Sequence, residues 1–495
     1  MPEQPRPRLG GTDGYRATAT LQTGAGLMNE ETMAGLTFAL VEMRRVEGET
    51  PLVVIGYDPR PSGPRLERAA VAGAVAAGAE VIRMGQTPTP ATFKTALEMG
   101  ANASVEISAS HCKPEVNGWK GALGSHKPFG PQVDEISDRY WANTDSGLTI
   151  PLDLADKVPE RPEFTEAYIN MVVADMEREF GERPLEGKVF VVDAANGAAM
   201  NVTPKVMERL GATVHTYACD GDRPINEGSG ATDLEGVKGF MRRNPHIVQD
   251  RNFVGALTHD GDADRYIGVG ARIRRGGEME FSDLEGNRVM ELRAKGQPGT
   301  VGTEYTNDAS VNRLRRGNIF RRGKVPFEFC SNGDVNVTNA LRGHANDPIP
   351  WTRGSEYTGH HVDLEWLSSG DGVRTGVWTA CYAAQKGTTF AEICKKLPLW
   401  HQAEFKIVLA KHISGVILDH PRVAEGRQAA SAELEQAGGR HVTRISGTEE
   451  GVVRVWASSK KRKITDRVAG ELVSLITLYG QAPHRGPIDA RIRSI

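Results

Sequence analysis

The 495-residue sequence has few cysteines, no long apolar run and little net charge. Its five cysteines are scattered without a CxxC pair, which argues against a disulfide framework or a zinc site and favours a reducing, cytoplasmic setting. No stretch approaches the length of a membrane span, and MPEQPRPRLG lacks the apolar core of a signal peptide. A net charge of −3 gives no global attraction to nucleic acid or to a membrane, so we expect neither as a partner.

Strand–helix–strand patterns recur along the chain. PLVVIGYDP predicts a buried strand over residues 52–56, followed by an alanine-rich helix that stops at Gly78 and a strand through Val81. A second copy predicts a strand at 189–192 and a helix that ends at Gly211, with another strand after it. Both copies carry Gly-Ala-x-Val after the helix, which indicates a repeated α/β module.

The rest of the chain extends this pattern and then departs from it. A weaker third copy begins at GTVGT (299–303) and continues into a helical stretch at ASVNRLRR. ITDRVAGELVSLITLYG, near the end, has the apolar spacing of a surface helix. The length suggests three or four domains, so the sequence predicts repeated α/β modules followed by a distinct α+β C-terminal domain.

Three closely spaced carboxylates follow a predicted strand in FVGALTHDGDADRYIG. The strand, residues 253–258, delivers Asp260, Asp262 and Asp264 in a tight turn. Carboxylates this close repel one another unless a cation neutralises them, and hard oxygen ligands favour Mg²⁺ or Ca²⁺. The sixth and twelfth loop positions are arginine and alanine, which excludes an EF-hand. A solvated acidic turn is the alternative.

Other polar loops are less specific. RISGTEEGVVR can wrap a phosphate with backbone amides, hydroxyls and guanidinium groups, or be a polar hairpin turn; its candidate residues are Arg444, Ser446, Gly447, Thr448 and Arg454. In RGSEYTGHH, Glu356 and His360 flank a Tyr-Thr-Gly turn that suits sugar hydroxyls. GGTDGYRA offers Thr12, Asp13 and Arg16. An exposed polar loop is the alternative for each of the last two.

VEISASHCKPEVNGWK (105–120) places Ser110 beside His111 after a short strand, with Lys120 ten residues past the serine. A serine hydroxyl is a poor nucleophile unless it is activated or already modified. Cys112 is an alternative nucleophile, but a thiol without a plausible base is usually inert. The segment alone therefore does not reveal how its serine would react.

Taken in chain order, these segments resemble the active-site loops of the α-D-phosphohexomutase superfamily, which includes phosphomannomutase/phosphoglucomutase and phosphoglucosamine mutase. The resemblance runs from residue 11 to residue 454 and rests on Thr-Asp-Gly-x-Arg at 12–16, Ser-His-x-x-Pro at 110–114, Asp-Gly-Asp-x-Asp-Arg at 260–265, the sugar loop at 355–360 and the phosphate loop at 444–454. GYDPRPSGP (56–64) also matches a segment of the superfamily.

The resemblance implies a heart-shaped molecule of three similar α/β domains and an α+β C-terminal domain around a central active-site cleft. The implied domains are 1–160 with the phosphoserine loop, 161–272 with the metal loop, 273–390 with the sugar loop and 391–495 with the phosphate loop.

It also implies roles for individual residues. Ser110 would be a phosphoserine that holds Mg²⁺ together with Asp260, Asp262 and Asp264. The other implied catalytic residues are Lys120, His111, Arg16 and Arg265, and the implied substrate-binding residues are Glu356, Thr358, His360, Arg444, Ser446, Gly447, Thr448 and Arg454.

The implied reaction interconverts hexose 1-phosphate and hexose 6-phosphate through a bisphosphorylated sugar, with glucose 1,6-bisphosphate or a similar compound as activator. The expected partner is a small-molecule hexose phosphate, and the expected state is a cytoplasmic monomer or homodimer. ISASH leans towards phosphoglucosamine mutases, but the sequence does not settle the sugar.

Departures from the pattern leave two other functions open. Cys112 and Lys113 stand in place of the serine-loop asparagine, Ser355 and Thr358 alter the sugar loop, and Glu450 replaces a proline. The alternatives are a sugar-phosphate phosphatase and a catalytically idle sugar-phosphate-binding homologue. The basic runs at 313–324 and 460–463 favour solvated helix ends over nucleic-acid binding, because no interleaved aromatics accompany them.

Overall fold

The computed structural model describes residues 6–11, 13–317, 324–446 and 451–480. Their Cα atoms cluster into two compact units. The described residues of Met1–Arg293 and Gly333–Lys396 form the first unit, and those of Ala294–Asn332 and Leu397–Ile495 form the second. Among the described residues, no helix is long and apolar enough to cross a membrane.

The first unit begins with a five-stranded sheet. Its strands are β1 (Tyr15–Thr18), β2 (Leu52–Tyr57), β3 (Glu80–Gln86), β4 (Ala103–Ile107) and β5 (Val116–Leu123), in the order β1-β5-β4-β2-β3. β2 pairs in parallel with β3 and β4, whereas β5 is antiparallel to β4 and β1. The helices are α1 (Glu30–Arg44), α2 (Gly63–Ala76), α3 (Thr89–Glu98) and α4 (Pro131–Asp145). The first predicted strand–helix–strand unit is confirmed.

A second five-stranded sheet repeats this arrangement. It consists of β6 (Val189–Asp193), β7 (Thr213–Tyr217), β8 (Phe253–His259), β9 (Tyr266–Ile273) and β10 (Met279–Leu284), in the order β10-β9-β8-β6-β7. β6 is parallel to β7 and β8, and β9 is antiparallel to β8 and β10. Its helices are α5 (Glu163–Phe180), α6 (Thr203–Arg209), α7 (Glu235–Arg243) and α8 (Pro245–Gln249). Four strands of each sheet follow the same order, β3-β2-β4-β5 in the first sheet and β7-β6-β8-β9 in the second. The predicted repeat of the α/β module is therefore present.

The chain next contributes elements to both units. α9 (Gly286–Arg293) belongs to the first unit, and β11 (Thr300–Thr303), α10 (Asp308–Arg316) and β12 (Phe327–Cys330) belong to the second. β11 and β12 are parallel, so the weaker third copy is also a strand–helix–strand unit. The first unit is completed by α11 (Asp334–Gly343), the antiparallel pair β13 (Arg353–Ser355) and β14 (His361–Asp363), α12 (Gly372–Gln385) and α13 (Phe390–Lys396).

The C-terminal part of the second unit has an antiparallel sheet covered by helices. The strands β15 (His401–Val408), β16 (Arg440–Ile445) and β17 (Val452–Ser459) lie in the order β15-β17-β16. The helices are α14 (Lys411–Ser414), α15 (Pro421–Gln436) and α16 (Arg462–Tyr479). The spacing of Val468, Leu472, Leu475 and Tyr479 predicts the buried face of α16, and Val468 and Leu472 are buried against the sheet. Leu475 is only partly buried and Tyr479 is exposed, whereas Ile476 is fully buried. The predicted α/β fold with an α+β C-terminal part is confirmed.

Candidate active site

The serine loop joins β4 to β5 and holds Ser110 just beyond the carboxyl end of β4. Ser110 is fully buried, and its φ of +52° lies in the left-handed region, which is uncommon for serine. Its backbone N–H donates to Ser108 Oγ at 2.8 Å, and Ser108 Oγ donates to Asp58 Oδ2 at 2.6 Å. The Ser110 hydroxyl donates to Asp260 Oδ2 at 2.5 Å. The loop thus presents its hydroxyl to the first of the three clustered aspartates.

The metal loop, residues 260–265, joins β8 to β9 in the same way. Asp260, Asp262 and Asp264 are fully buried, and each offers an oxygen within 4.8 Å of those of the other two. Asp262 Oδ1 has no hydrogen-bond partner although it is buried. Three buried carboxylates at this spacing, one of which has an oxygen without a proton donor, fit a divalent cation such as Mg²⁺.

Burial and neighbouring charges shift the pKa values of Asp260 and Asp264 in opposite directions. Burial, together with the neighbouring Asp264 and Asp262, raises the pKa of Asp260 to about 6. Burial also acts on Asp264, but Lys120 and His360 outweigh it and hold the pKa of Asp264 well below its usual range. The cluster is therefore only partly compensated by cations from the protein, which is the condition under which a bound divalent cation is favoured.

Lys120, on β5, neutralises part of the metal loop. Its side chain is 1% exposed, and its Nζ lies 2.5 Å from Asp262 Oδ2, 3.0 Å from Asp264 Oδ2 and 3.5 Å from Asp13 Oδ1. Burial disfavours the ammonium, but these three carboxylates raise the pKa of Lys120 well above its ordinary value. Lys120 is thus held as a cation within reach of the predicted metal ligands.

A second buried lysine lies beside the first. Lys127 Nζ donates to Asp13 Oδ1 at 2.7 Å and to Asp334 Oδ2 at 2.8 Å, and it lies 3.7 Å from Asp264 Oδ2. Asp334 begins α11 and also accepts a hydrogen bond from the Ser369 hydroxyl at 3.2 Å. Lys127 therefore ties the N-terminal loop and α11 to the metal loop.

The sugar loop, residues 355–360, contacts the metal loop through His360. His360 Nε2 lies 3.0 Å from Asp264 Oδ1, and its Nδ1 lies 2.6 Å from Glu356 Oε2. Burial works against a charged ring, but the carboxylates of Asp264 and Glu356 raise the pKa of His360 to about 10. Thr358 Oγ1 donates to the same Glu356 oxygen at 2.9 Å, and the Gly333 N–H donates to the other.

The remaining predicted catalytic residues of the first unit surround the same cluster. Arg265 donates its backbone N–H to Asp260 Oδ1 at 3.2 Å, and its Nε lies 3.5 Å from Asp260 Oδ2. Arg16, on β1, donates to Asp13. His111 is exposed, with its Nδ1 3.4 Å from Ser110 Oγ, and the nearby Arg265 lowers its pKa. The first unit thus brings together the predicted serine, metal and sugar loops.

The predicted phosphate loop belongs to the second unit. Arg444 on β16 and Arg454 on β17 are directly opposite one another in the sheet. Arg444 Nε donates to the Tyr305 hydroxyl at 2.7 Å, and Arg454 Nη1 lies 3.4 Å from Glu404 Oε1. The Ser446 N–H donates to the Val452 carbonyl at 2.7 Å. Gly447, Thr448 and Glu450, like Thr12 in the N-terminal loop, lie outside the described residues.

Several polar residues of the site were not singled out by the sequence. Lys127 and Asp334 lie in segments that resemble ordinary polar loops, and their partners are distant in sequence. Asn226, in the loop between β7 and α7, contacts the serine loop. Arg60 does so as well, and the only signal for it was the match of residues 56–64 to a superfamily segment.

Comparisons with known proteins agree with this fold. The family profile described as "Phosphoglucomutase/phosphomannomutase, alpha/beta/alpha domain I" matches residues 7–146. Phosphoglucosamine mutase of Acidothermus cellulolyticus is 31% identical over 479 residues, covering 95% of this chain and 96% of that protein.

Solved structures extend the likeness in fold to nearly the whole chain. A phosphoglucomutase/phosphomannomutase family protein from Burkholderia thailandensis has a TM-score of 0.72 at 18% identity, covering 97% of this chain and 98% of that one. Aspergillus fumigatus N-acetylphosphoglucosamine mutase, solved in complex with GlcNAc-6P and magnesium, has a TM-score of 0.61 at 15% identity and covers 95% of each chain.

The chain therefore belongs to the α-D-phosphohexomutase superfamily, the family of phosphoglucomutases, phosphomannomutases and phosphoglucosamine mutases. It is an intramolecular phosphotransferase, an isomerase of hexose phosphates.

Proposed function

We propose that the enzyme interconverts glucosamine 1-phosphate and glucosamine 6-phosphate, with a phosphoryl group carried on Ser110. The observation that supports this most directly is the 2.5 Å hydrogen bond from Ser110 Oγ to Asp260, the first carboxylate of the metal loop. A serine placed there needs no triad base, because it acts as a phosphoryl carrier. Glucose 1,6-bisphosphate or a similar compound would load it.

Asp260, Asp262 and Asp264 would hold Mg²⁺, with an oxygen of the phosphoserine as a further ligand. The buried Asp262 Oδ1, which has no hydrogen-bond partner, supports this assignment. Mg²⁺ would neutralise charge on the transferring phosphoryl group. A phosphoserine adds about −1.5 to −2 charges beside these carboxylates, so a cation is needed there all the more.

The proposed cycle has two transfers. In the first, the bond between Ser110 Oγ and phosphorus breaks, a bond from phosphorus to the free sugar hydroxyl forms, and the proton of that hydroxyl leaves. In the second, the sugar bisphosphate returns its other phosphoryl group to Ser110 Oγ and the departing sugar oxygen takes up a proton. Lys120 is held as an ammonium beside the site, which is the form that gives this proton. The first transfer uses the same group in the opposite sense and therefore needs Lys120 as the free amine, a form that Mg²⁺ on Asp262 and Asp264 would favour by neutralising their charge. The amine accepts the proton of the sugar hydroxyl, and the ammonium formed in this way gives that proton to the departing sugar oxygen in the second transfer.

Glu356, Thr358 and His360 are proposed to hold the sugar hydroxyls. Thr358 and His360 are both hydrogen-bonded to Glu356 Oε2, so the donors and acceptors of the three side chains are presented as one set. In the second unit, Arg444, Ser446, Gly447, Thr448 and Arg454 are proposed to bind the phosphate that does not react. Arg16, Arg265 and His111 would shape the field around the serine. The four predicted domain boundaries remain part of this proposal.

Glucosamine as the sugar is supported by the 31% identical relative that is a phosphoglucosamine mutase, and by ISASH in the serine loop. A coupled assay with Mg²⁺ and catalytic glucose 1,6-bisphosphate tests it, comparing glucosamine, glucose and mannose phosphates, with Ser110→Ala as control. Turnover of glucosamine phosphate that collapses in the variant supports the proposal. A preference for another hexose phosphate would change the proposed substrate but leave the proposed reaction unchanged.

The same assay separates the two alternatives. Release of free phosphate in place of the isomer would identify a phosphatase, in which water accepts the phosphoryl group. Binding of a hexose phosphate without either product would identify an idle homologue. The proposed phosphate loop favours the mutase over the phosphatase, because a phosphatase has no need of a second phosphate-binding loop. The buried aspartates argue against the idle homologue, because unused buried carboxylates reduce stability.

A further inference from the structure

The backbone carbonyls of the serine loop converge on one buried guanidinium group. Arg60, which follows β2, is 1% exposed. Its Nη2 donates to the Ser110 carbonyl at 2.6 Å and to the Cys112 carbonyl at 3.0 Å. Its Nη1 donates to the carbonyls of Lys113 at 2.5 Å and Val116 at 2.8 Å. One planar fork therefore holds the loop from its serine to the first residue of β5.

Asn226 holds the same loop from a different part of the chain. Its Nδ2 donates to the Ser110 carbonyl at 2.8 Å and to the Cys112 carbonyl at 3.1 Å, the same two oxygens that Arg60 Nη2 contacts. Its Oδ1 is buried and has no hydrogen-bond partner, so the amide acts here only as a donor. Asn226 also has a φ of +65°, a conformation that asparagine tolerates better than most residues.

The backbone of the metal loop also lies close to the Ser110 carbonyl. A Cβ added to Gly261 would lie 2.7 Å from the Ser110 carbonyl oxygen and 3.0 Å from Asn226 Nδ2. The Ser110 carbonyl is thus enclosed by Arg60, Asn226 and the backbone of Gly261. Because the φ of Ser110 is itself positive, the serine keeps this conformation only where its surroundings impose it.

We propose that Asn226 and Arg60 are positioning residues that clamp the Ser110 carbonyl and so keep Ser110 Oγ directed at Asp260 during phosphoryl transfer. The inference rests on the proposed role of Ser110 as phosphoryl carrier. Transfer requires the phosphorus, the serine oxygen and the sugar oxygen to be nearly in line, and a misplacement of about 1 Å can cost a hundredfold in rate. Neither side chain needs to touch the substrate for its loss to slow this step.

The test uses the whole 495-residue chain with Asn226→Gly and Asn226→Asp. Glycine keeps the positive φ without strain and removes both donors; aspartate keeps the size but turns acceptors towards the two carbonyls. We expect kcat to fall about 10- to 100-fold in both, more in Asn226→Asp, with the KM for the sugar phosphate and the affinity for Mn²⁺ within about twofold of the parent. Single-turnover transfer from radiolabelled phosphoenzyme should slow by the same factor.

Asn170→Asp is the matched control, because Asn170 is an exposed residue of α5 whose Oδ1 already accepts a hydrogen bond from Arg209. It should leave kcat unchanged. Arg60→Lys, which keeps the charge but not the planar fork, should reduce kcat as the Asn226 variants do. Circular dichroism should confirm that each variant is folded at the assay temperature. If the Arg60 variant is not folded, the two Asn226 variants are sufficient for the test.

Three results would overturn the clamp. The first is parental kcat in both Asn226 variants while Ser110→Ala is inactive, which leaves the proposed function standing. The second is a raised KM at unchanged kcat, which would move Asn226 to sugar binding. The third is a fall in kcat that is fully accounted for by a smaller fraction of folded enzyme. Undiminished turnover in Ser110→Ala would instead refute the proposed function, and the clamp with it.

Discussion

At the scale of single residues, the site is a set of buried charges that compensate one another incompletely. The two oxygens of Asp262 illustrate this. Oδ2 accepts hydrogen bonds from Lys120 Nζ at 2.5 Å and from the Thr89 hydroxyl, whereas Oδ1 accepts none. A buried carboxylate oxygen without a donor is costly, and a metal ion would satisfy it. The proposed metal role can therefore be tested at this residue.

Asp262→Asn should remove most of the affinity for Mg²⁺ or Mn²⁺ and most of the activity. The substitution keeps the shape of the side chain but removes a charged ligand, and hard cations depend on such ligands. Isothermal titration with Mn²⁺ measures the first effect, and the coupled assay measures the second. Asp138→Asn, at an exposed position of α4, is the control and should change neither. Parental Mn²⁺ affinity in Asp262→Asn would contradict the assignment.

Lys120→Arg and Lys120→Met separate charge from proton transfer. Arginine keeps the positive charge beside Asp262 and Asp264, but it does not give up its proton in proteins. If Lys120 transfers a proton, kcat should fall in both variants by about 10²- to 10⁴-fold, the usual contribution of general acid–base catalysis. Steady-state kinetics with phosphorylated enzyme measures this. Substantial activity in Lys120→Arg would show that only the charge of Lys120 matters.

At the scale of secondary-structure elements, the two reactive loops occupy equivalent places in the two sheets. The serine loop joins β4 to β5, and the metal loop joins β8 to β9. In each sheet a parallel strand is followed by an antiparallel one. Both loops therefore leave the carboxyl end of a buried parallel strand, where α/β sheets bind their ligands.

Local pattern was enough to predict these elements and the motifs at their ends. Buried strands such as β2 and β8 are short apolar runs that stop at polar turn residues. The three clustered aspartates follow β8 directly. Lys127 and Asn226 could not be found in this way. Lys127 lies 114 residues from Asp13 and 207 from Asp334, and Asn226 lies 116 from Ser110. Only the folded chain makes neighbours of these residues.

Gly286→Ala should disturb the sugar loop selectively. A Cβ at Gly286, the first residue of α9, would lie 1.9 Å from the Glu356 carbonyl oxygen, so the backbone around Glu356 must shift. Overpacking of this kind costs about 1–3 kcal/mol. We expect the KM for hexose phosphate to rise about tenfold if 1.4 kcal/mol of it falls on binding.

Gly276→Ala is the matched control for Gly286→Ala, because nothing lies within 4 Å of the Cβ it would add. It should leave the kinetic constants unchanged. A parental KM in Gly286→Ala, measured by the coupled assay on enzyme shown to be folded, would mean that the position of Glu356 does not control sugar binding.

At the scale of the whole molecule, stability depends on charges that are buried away from the site. Asp363, in β14, accepts hydrogen bonds from Arg293 of α9 at 2.7 Å, Arg374 of α12 at 2.9 Å and Arg353 of β13 at 3.1 Å. Burial alone would raise the pKa of Asp363, but the three arginines lower it to about 2. Four elements of the first unit are thus joined at one carboxylate.

Asp363→Asn should destabilise the first unit by about 3–5 kcal/mol, the usual cost of leaving buried charges unpaired. Because the folded pKa of Asp363 is below its ordinary value of 3.8, its contribution is present above that pH and is lost as the pH falls towards about 2. The difference between the thermal midpoints of parent and variant should therefore be largest at pH 6 and shrink as the pH falls from about 4 to about 2. A constant difference down to pH 2 would assign the effect to packing.

A mutase requires its phosphate-binding residues to serve both isomers of the substrate alike. The enzyme must accept its sugar in two orientations, and in each a different phosphate of the substrate is the one that does not react. Arg444 is held by the Tyr305 hydroxyl and by Glu304, whose Oε1 lies 3.1 Å from Arg444 Nε. If Arg444 binds the phosphate that does not react, it serves hexose 1-phosphate and hexose 6-phosphate alike.

Arg444→Met should therefore raise the KM for both isomers by the same factor, about tenfold or more, because hydrogen bonds to charged groups contribute about 1.5–3 kcal/mol. The equilibrium between the isomers is fixed by the sugars, so kcat/KM must fall equally in the two directions in any variant. Equality of the KM changes themselves is the informative result. Arg422→Met, on the exposed side of α15, is the control and should alter neither KM. An increase confined to one isomer would mean that Arg444 recognises one end of the sugar and not the phosphate common to both orientations.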